Sequence, residues 1–343
     1  MADTFIKVAE PLVGEEECQA VREVLLSGNY VSGPKVAAFE RGFADYIGTE
    51  YAVAVSSGTA ALFIALEAMG VGKGDEVIVP PLTFFATVSS VLYLGAVPVF
   101  ADIDLDDLCL SPDSVQEKIT SRTKAIIPVH LFGAAAKMDR LSEIAEARDI
   151  PLLEDCAQAH GTEFQKRRVG SIGRAGAFSF FATKHMTTGE GGLITTNDAD
   201  LVESAKSIRS HGMAGRDDHV RLGFNNRMTE MEAAMGLVQL GRLEEFNRKR
   251  IENSEYLLHE VRRLPWAHVP VPGKDVRHTY FWCPVMVKEE SGKTIDDLKK
   301  YLQDNRIGFR QRYQEPLYKQ PLMRQLDTGY ADLHLPNVEK VAG

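Results

Sequence analysis

From residue 50 to about 200, short apolar runs alternate with segments whose apolar positions recur every three or four residues. The runs are YAVAV at 51–55, EVIV at 76–79, VPVFA at 97–101, KAIIPV at 124–129, PLL at 151–153, and stretches at 175–180 and 192–196. Between them, 59–69 reads as a helix apolar nearly all round with Glu67 the exception, and 84–94 and 137–147 read as further helices. Strands without polar alternation are buried on both faces, and their alternation with helices predicts an α/β fold, a mostly parallel seven-stranded-type sheet covered by helices.

Beyond the sheet region the pattern changes. Thr229-Glu230-Met231-Glu232 has the T-x-x-E spacing of a capping box, and Met228, Met231, Met235 and Val238 then give one apolar face, so a long helix is expected over 229–254. Three prolines in 264–273 read as a linker, followed by a strand at 281–287 and a helix at 294–305. A chain of 343 residues exceeds what one core usually organises. The expected division is a large domain over 1–254, with an N-terminal arm over about 1–30, and a smaller C-terminal α+β domain over 255–343.

Composition narrows the function classes. The formal net charge of −9 opposes nonspecific binding to nucleic acid. Cys18, Cys109, Cys156 and Cys283 form no C-x-x-C pair, which argues against a metal site or a disulfide framework, and Cys156 reads as a small buried residue. No basic n-region with an apolar core opens the chain and no apolar run is long enough to span a bilayer. A cytoplasmic protein that does not insert in membranes is expected.

Three strand ends carry candidate chemistry, because ligands of open α/β sheets sit outside the carboxyl ends of the strands. Ser56-Ser57-Gly58-Thr59 precedes the apolar helix, where unpaired amides and hydroxyls suit a phosphate, although the same residues also serve as a simple cap. Leu152-Leu153-Glu154-Asp155 ends in two carboxylates that alternation points to opposite sides, so only one can face a ligand. Lys184 follows the mostly apolar stretch 176–183, and a lysine leaving such a run either reaches water or enters a site as a nucleophile. A phosphate cradle, a carboxylate and a desolvated lysine together suit pyridoxal 5'-phosphate (PLP), whose protonated ring nitrogen needs an acid. At about 4 Å and an effective dielectric near 20 that pairing is worth roughly 4 kcal/mol, enough to keep the ring protonated at neutral pH.

At these residues the sequence resembles the DegT/DnrJ/EryC1/StrS family, the sugar aminotransferases of PLP fold type I. The resemblance runs in order through LSGNYVSGPKVAAFERGFADYIG (26–48), VSSGTAAL (55–62), GDEVIVPPLTFFAT (74–87), GAVPVFADID (95–104), LLEDCAQAHG (152–161), GAFSFFATKHMTTGEGG (176–192) and GFNNRMTEMEAAMGLVQL (223–240). It implies that Lys184 is the Schiff-base lysine and proton shuttle, and that Asp155 pairs with the ring nitrogen. By the same resemblance Gln158 meets the phenolic oxygen, Ser179, Gly58 and Thr59 hold the phosphate, and Phe84 stacks on the ring, with Phe85 as the alternative. Asn225, or its neighbour Asn226, would reach the phosphate of a second subunit in a homodimer with shared sites. Tyr313, in RQRYQEPLYKQP (310–321), and Glu190 are nominated as substrate contacts, and His160, His185 and His211 as either site contacts or structural groups.

The resemblance further implies an amino acid donor, glutamate, with pyridoxamine phosphate as the cofactor's intermediate state, and a nucleotide-linked keto sugar as acceptor. TTGEGG after the lysine points to a 4-keto-6-deoxyhexose. Two alternatives stand beside this: a pyridoxamine-phosphate sugar dehydratase of the same family, whose members carry histidine at the position of Lys184, and a noncatalytic regulator. Family members usually continue past the equivalent of LPNVEKVAG, so the small domain is expected to be either short or truncated.

Overall fold

Ala52 and Ala54 of the first strand face one hydrophobic cluster while Val53 and Val55 face another, which is the two-sided burial that the unbroken apolar run predicts. The computed structural model describes residues 5–326 and 329–342; the first four residues of the expected arm and Gly343 at the end of the expected small domain lie outside them. Seven strands form the central sheet: β1 (Tyr51–Val55), β2 (Glu76–Val79), β3 (Val97–Phe100), β4 (Thr123–Ile126), β5 (Leu153–Asp155), β6 (Ala175–Ser179) and β7 (Gly192–Thr196). Ladders give the orders β3-β2-β4 and β5-β6-β7-β1, and the parallel bridges Ile126↔Leu152 and Val129↔Asp155 join β4 to β5. Every pairing is parallel except those of β7, which runs against both β1 and β6.

Helices α1 (Glu15–Ser27) and α2 (Pro34–Ile47) precede the sheet, and α3 (Gly58–Ala68), α4 (Ala86–Tyr93), α5 (Pro112–Lys118), α6 (Met138–Glu146) and α7 (Ala199–Ile208) connect its strands. The expected all-round burial of α3 holds, with Ala60–Leu66 within it buried. Helix α8 starts as the capping box predicts: Thr229 Oγ1 accepts from Glu232 N–H, and the Glu232 carboxylate accepts from Thr229 N–H at 2.7 Å. It extends further than the periodicity reading, over Glu230–Arg262. The cause is Leu258, buried one turn after Ser254, with no glycine or proline until Pro265.

The expected strand at 281–287 shrinks to Met286–Val287 (β9), paired with Ala267–His268 (β8) inside the proline-rich segment. Phe281 and Trp282 instead turn toward a cavity, and Pro284 has no amide to give a ladder. The expected helix at 294–305 appears as α9 (Ile295–Asp304), capped by Thr294. Farther on, Leu317, Tyr318, Met323, Tyr330, Leu335 and Val338 return to the hydrophobic cluster that contains β2 and β4.

Candidate active site

A cavity of about 360 Å³ opens at the carboxyl ends of the parallel strands. It brings together Gly58, Thr59, Phe84, Asp155, Gln158, Ser179, Lys184, Glu190 and Tyr313, nine of the ten residues given first choice for a cofactor or substrate role, the tenth being Asn225. Asn225 is exposed on the segment after α7, bridged to Ser210, and does not line the cavity of its own chain.

The helix start is both cap and cradle. Ser57 Oγ accepts from Ala60 N–H at 3.1 Å, so its oxygen serves the cap. Gly58 permits the α3 terminus to press against the end of β6: a Cβ on Gly58 would meet Ser179 Cβ at 2.6 Å. The positive end of the α3 dipole therefore faces the cavity beside the Ser179 and Thr59 hydroxyls.

The two carboxylates ending β5 have opposite fates, as strand alternation predicts. Glu154 is fully buried and accepts from Gly170, Ile172 and Gly173 N–H at 2.8, 2.8 and 2.7 Å. His130 Nδ1 accepts from Ala136 N–H, which leaves the Nε2–H to donate to Glu154 at 3.0 Å. Burial alone would raise the Glu154 pKa, but His130 and the amides outweigh it and hold the carboxyl below its usual range. His130, Glu154 and Cys156 place ligand-type atoms within 4.8 Å of one another, yet these hydrogen bonds already occupy the imidazole and the carboxylate.

Asp155 faces the cavity. Its Oδ2 accepts from Thr87 Oγ1–H at 2.9 Å and its Oδ1 from Ala157 N–H at 3.1 Å. Burial raises its pKa, against the pull of the amide, the hydroxyl and Lys184.

Lys184 stands on the loop between β6 and β7, held by Lys184 N–H to Phe181 O, Phe180 N–H to Gly191 O and Thr188 N–H to Phe180 O. Its Nζ lies 4.8 Å from the centroid of the Phe281 ring. Burial lowers its pKa to about 8, with Asp155 opposing and Arg312 assisting, so about a tenth is the neutral, nucleophilic amine at pH 7, far more than for an ordinary lysine. Among the described residues it has no carboxylate within ion-pair distance.

Gln158 Oε1 accepts from Phe132 N–H at 3.1 Å, and its Nε2 donates to Tyr313 OH at 3.2 Å. Phe132 and Tyr313 both adopt positive φ, 58° and 55°, a costly conformation that recurs at ligand sites. Phe84 is 61% exposed and lines the cavity, whereas Phe85 packs against the core, which favours Phe84 of the two as the ring's neighbour. His160 and His185 are buried away from the cavity lining, and His185 Nε2 meets the Thr279 carbonyl at 3.2 Å. His211 is exposed, its carbonyl accepting from His219.

Sequence reading missed Thr83, Thr87, Phe281, Trp282 and Arg312, all of which line the cavity. Thr87 follows Phe84 by about one helical turn, so the nominated ring neighbour itself pointed to it. Phe281 and Trp282 carried no such signal.

The arrangement fits PLP. An open helix N-terminus for the phosphate, a buried carboxylate for the ring nitrogen and an unpaired amine line one cavity of matching size.

The family profile of the DegT/DnrJ/EryC1/StrS aminotransferases matches residues 11–343. The chain is 38% identical, over 97% of its length and 89% of the relative's, to the spore coat polysaccharide biosynthesis protein SpsC of Bacillus subtilis strain 168. Among solved structures it is similar to S. venezuelae DesV in complex with a ketimine intermediate, with 35% identity, a TM-score of 0.90, and coverage of 95% of this chain and 86% of that one. A GDP-4-keto-6-deoxymannose-3-dehydratase, ColD, is 29% identical with a TM-score of 0.88, covering 99% of this chain and 94% of that one. The chain belongs to the DegT/DnrJ/EryC1/StrS aminotransferase family, and its fold is that of the fold type I PLP-dependent aminotransferases. It is an enzyme of the PLP-dependent sugar aminotransferase class.

Proposed function

We propose that this member of the family moves the amino group of glutamate onto a nucleotide-linked keto sugar, a 4-keto-6-deoxyhexose, with Lys184 as the essential amine. The observation that carries this reading is the Lys184 amine, with a pKa near 8, sharing one cavity with the buried Asp155 carboxylate beneath the open end of α3. When bound, PLP supplies the electron sink that lets an amino group leave one carbon and join another.

In this reading the chain's own residues do the following. Asp155 holds the ring nitrogen, with its two oxygens oriented by Thr87 and Ala157. Gly58, Thr59 and Ser179 bind the phosphate at the α3 terminus. Phe84 covers one face of the ring, and Gln158, steadied by Phe132 and Tyr313, turns its remaining amide hydrogen to the phenolic oxygen. Lys184 moves the proton between donor carbon and cofactor, a task that suits an amine titrating about 8. Tyr313 and Glu190 meet the substrate.

In a division at about residue 254, the earlier part supplies the cofactor residues, and Phe281, Trp282, Arg312 and Tyr313 from the later part line the same cavity on the substrate side. Asn225, exposed and outside its own cavity, serves the phosphate of a second copy. The exposed Leu222 and Phe224 beside it suit a homodimer interface. No described helix is long and apolar enough to cross a membrane.

The dehydratase reading has the ColD likeness behind it, but dehydratases of the family carry a histidine at the lysine position, and here the lysine is present. The test is a panel of nucleotide-linked keto sugars with glutamate, scored by the mass of the aminated product. Lys184→Ala should lose turnover by at least about four orders of magnitude, on the scale of removing a covalent catalyst, while keeping its fold. Aminated product from that variant at the wild-type rate would refute the reading.

A further inference from the structure

The Asp155 carboxylate is not simply a buried acid; it ends a line of hydroxyls. Thr87, fully buried on α4, donates to Asp155 Oδ2 at 2.9 Å, and Thr83, 1% exposed, lies 3.1 Å from Thr87 Oγ1. A threonine hydroxyl has one hydrogen, and an ionised carboxylate only accepts. The Thr87 hydrogen is therefore committed to Asp155, and the Thr83–Thr87 bond must have Thr83 as its donor. The line has a fixed direction, Thr83 to Thr87 to Asp155, and each member polarises the next. The two threonines are four residues apart, so the turn that leads into α4 sets their spacing.

We propose that Thr87, backed by Thr83, is a positioning residue that holds Asp155 in its charged form and so sets the protonation of the cofactor's ring nitrogen. The proposal rests on the assignment of this cavity to PLP. The physical need is plain: a carboxylate this deeply buried is driven toward its neutral form, and a neutral acid cannot hold a protonated ring.

Other groups bear on Asp155 from the elements around it. Lys184 acts from the loop after β6, His130 from the loop after β4, Tyr313 from the C-terminal segment, and Glu154 sits beside it on the opposite face of β5. Of these side chains none donates a hydrogen bond to the carboxylate; Thr87 does, and the Ala157 amide is the other donor. With one bond on each oxygen, each keeps a lone pair for the cavity.

The experiment uses the full-length protein reconstituted with PLP labelled with ¹⁵N in its ring. In the wild type the ring nitrogen should resonate as a pyridinium. Thr87→Val keeps the shape and removes the hydroxyl; its signal should move toward unprotonated pyridine, and its PLP affinity should fall about tenfold, on the scale of one hydrogen bond to a charged group. Thr87→Ser should return both readings to wild type, and Thr83→Val should move the signal in the same direction by less.

A Thr87→Val protein with wild-type nitrogen signal and affinity overturns the proposal, as does a Thr87→Ser protein that deviates as far as the valine variant. If Thr87→Val does not fold, Thr83→Val decides alone, because it never touches the carboxylate: an unmoved signal sinks the relay. A wild-type protein that takes up no PLP, seen as no visible absorbance bleached by borohydride, sinks instead the functional reading beneath it.

Discussion

Gly58, Asp155 and Ser179 stand at the ends of α3, β5 and β6, elements whose side chains are almost wholly buried in two cores. Phe281, Trp282, Arg312 and Tyr313, on the opposite side of the same cavity, stand on a segment with two-residue strands and a helix, α9, that has no buried side chain. The cofactor side of the cavity is anchored by Gly58, Asp155 and Ser179 at the termini of packed elements, with Phe84, Gln158 and Lys184 on the segments that connect them. On the other side, Trp282 and Tyr313 are partly buried against the main core. Ring and polar contacts hold it: the Phe281–Trp282 edge-on pair, the Arg312 guanidinium 5.1 Å from the Trp282 ring centroid, and Tyr313 against the Phe132 ring and Gln158. In the proposed reading, the difference separates cofactor binding from substrate recognition. A site that must hold one cofactor in register sits on the core, and a wall that must fit a particular substrate sits where packing permits change.

The largest effect on cofactor affinity should come from closing the cofactor side. Gly58→Val places a side chain against Ser179, whose Cβ stands only 2.6 Å from the glycine's would-be Cβ, and PLP affinity should drop by about a hundredfold or more, measured by absorbance titration. Glu154→Ala strips a buried carboxylate from His130 and three amides, and should cost about 3–5 kcal/mol in denaturant unfolding of the cofactor-free protein. The packing contrast itself is tested by truncating one side chain in each region. Ile78→Ala in β2 should cost about 2–5 kcal/mol, and Leu298→Ala on α9 under about 1 kcal/mol. Equal losses would erase the distinction.

The last effect is a slope. The Lys184 pKa near 8 in the folded protein lies below its ordinary 10.5, so between those values the unfolded chain binds more protons. Stability of the cofactor-free protein should therefore rise with pH from about 8 to 10.5, and Lys184→Met should remove that part of the rise.

Legibility followed the same division. The seven strands and the start of α8 were readable because apolar runs, capping chemistry and strand alternation are local rules. Strand ends pointed to Gly58, Thr59, the Glu154–Asp155 pair and Lys184, whereas Phe84, Gln158, Ser179, Glu190 and Tyr313 came from the family resemblance. Alternation even assigned different fates to Glu154 and Asp155, although not which of them meets the ligand; that came from the family resemblance. Local rules failed where distant contacts decide. Nothing near Phe281 announces that the predicted strand will be given up so that two aromatic rings can line a cavity. The hydrogen bonds from Gly33, Lys35 and Val36 amides to Glu230, which bind the start of α2 to the start of α8, connect residues nearly two hundred positions apart. Periodicity alone also ended α8 too soon, because Leu258 is buried by a partner segment and not by its own helix.

Because β7 runs against β6, the chain leaves the sheet after Ser179 and re-enters it at Gly192, and these two residues are paired across adjacent strands. Lys184 thus rides on a short leash whose two ends are fastened side by side. Its amine can travel only as far as its own methylene stem allows. Lengthening that leash by a few residues would leave sheet and cofactor cradle whole and still set the nucleophile adrift, whereas the exposed hairpin tip around Arg216 should accept the same insertion without consequence.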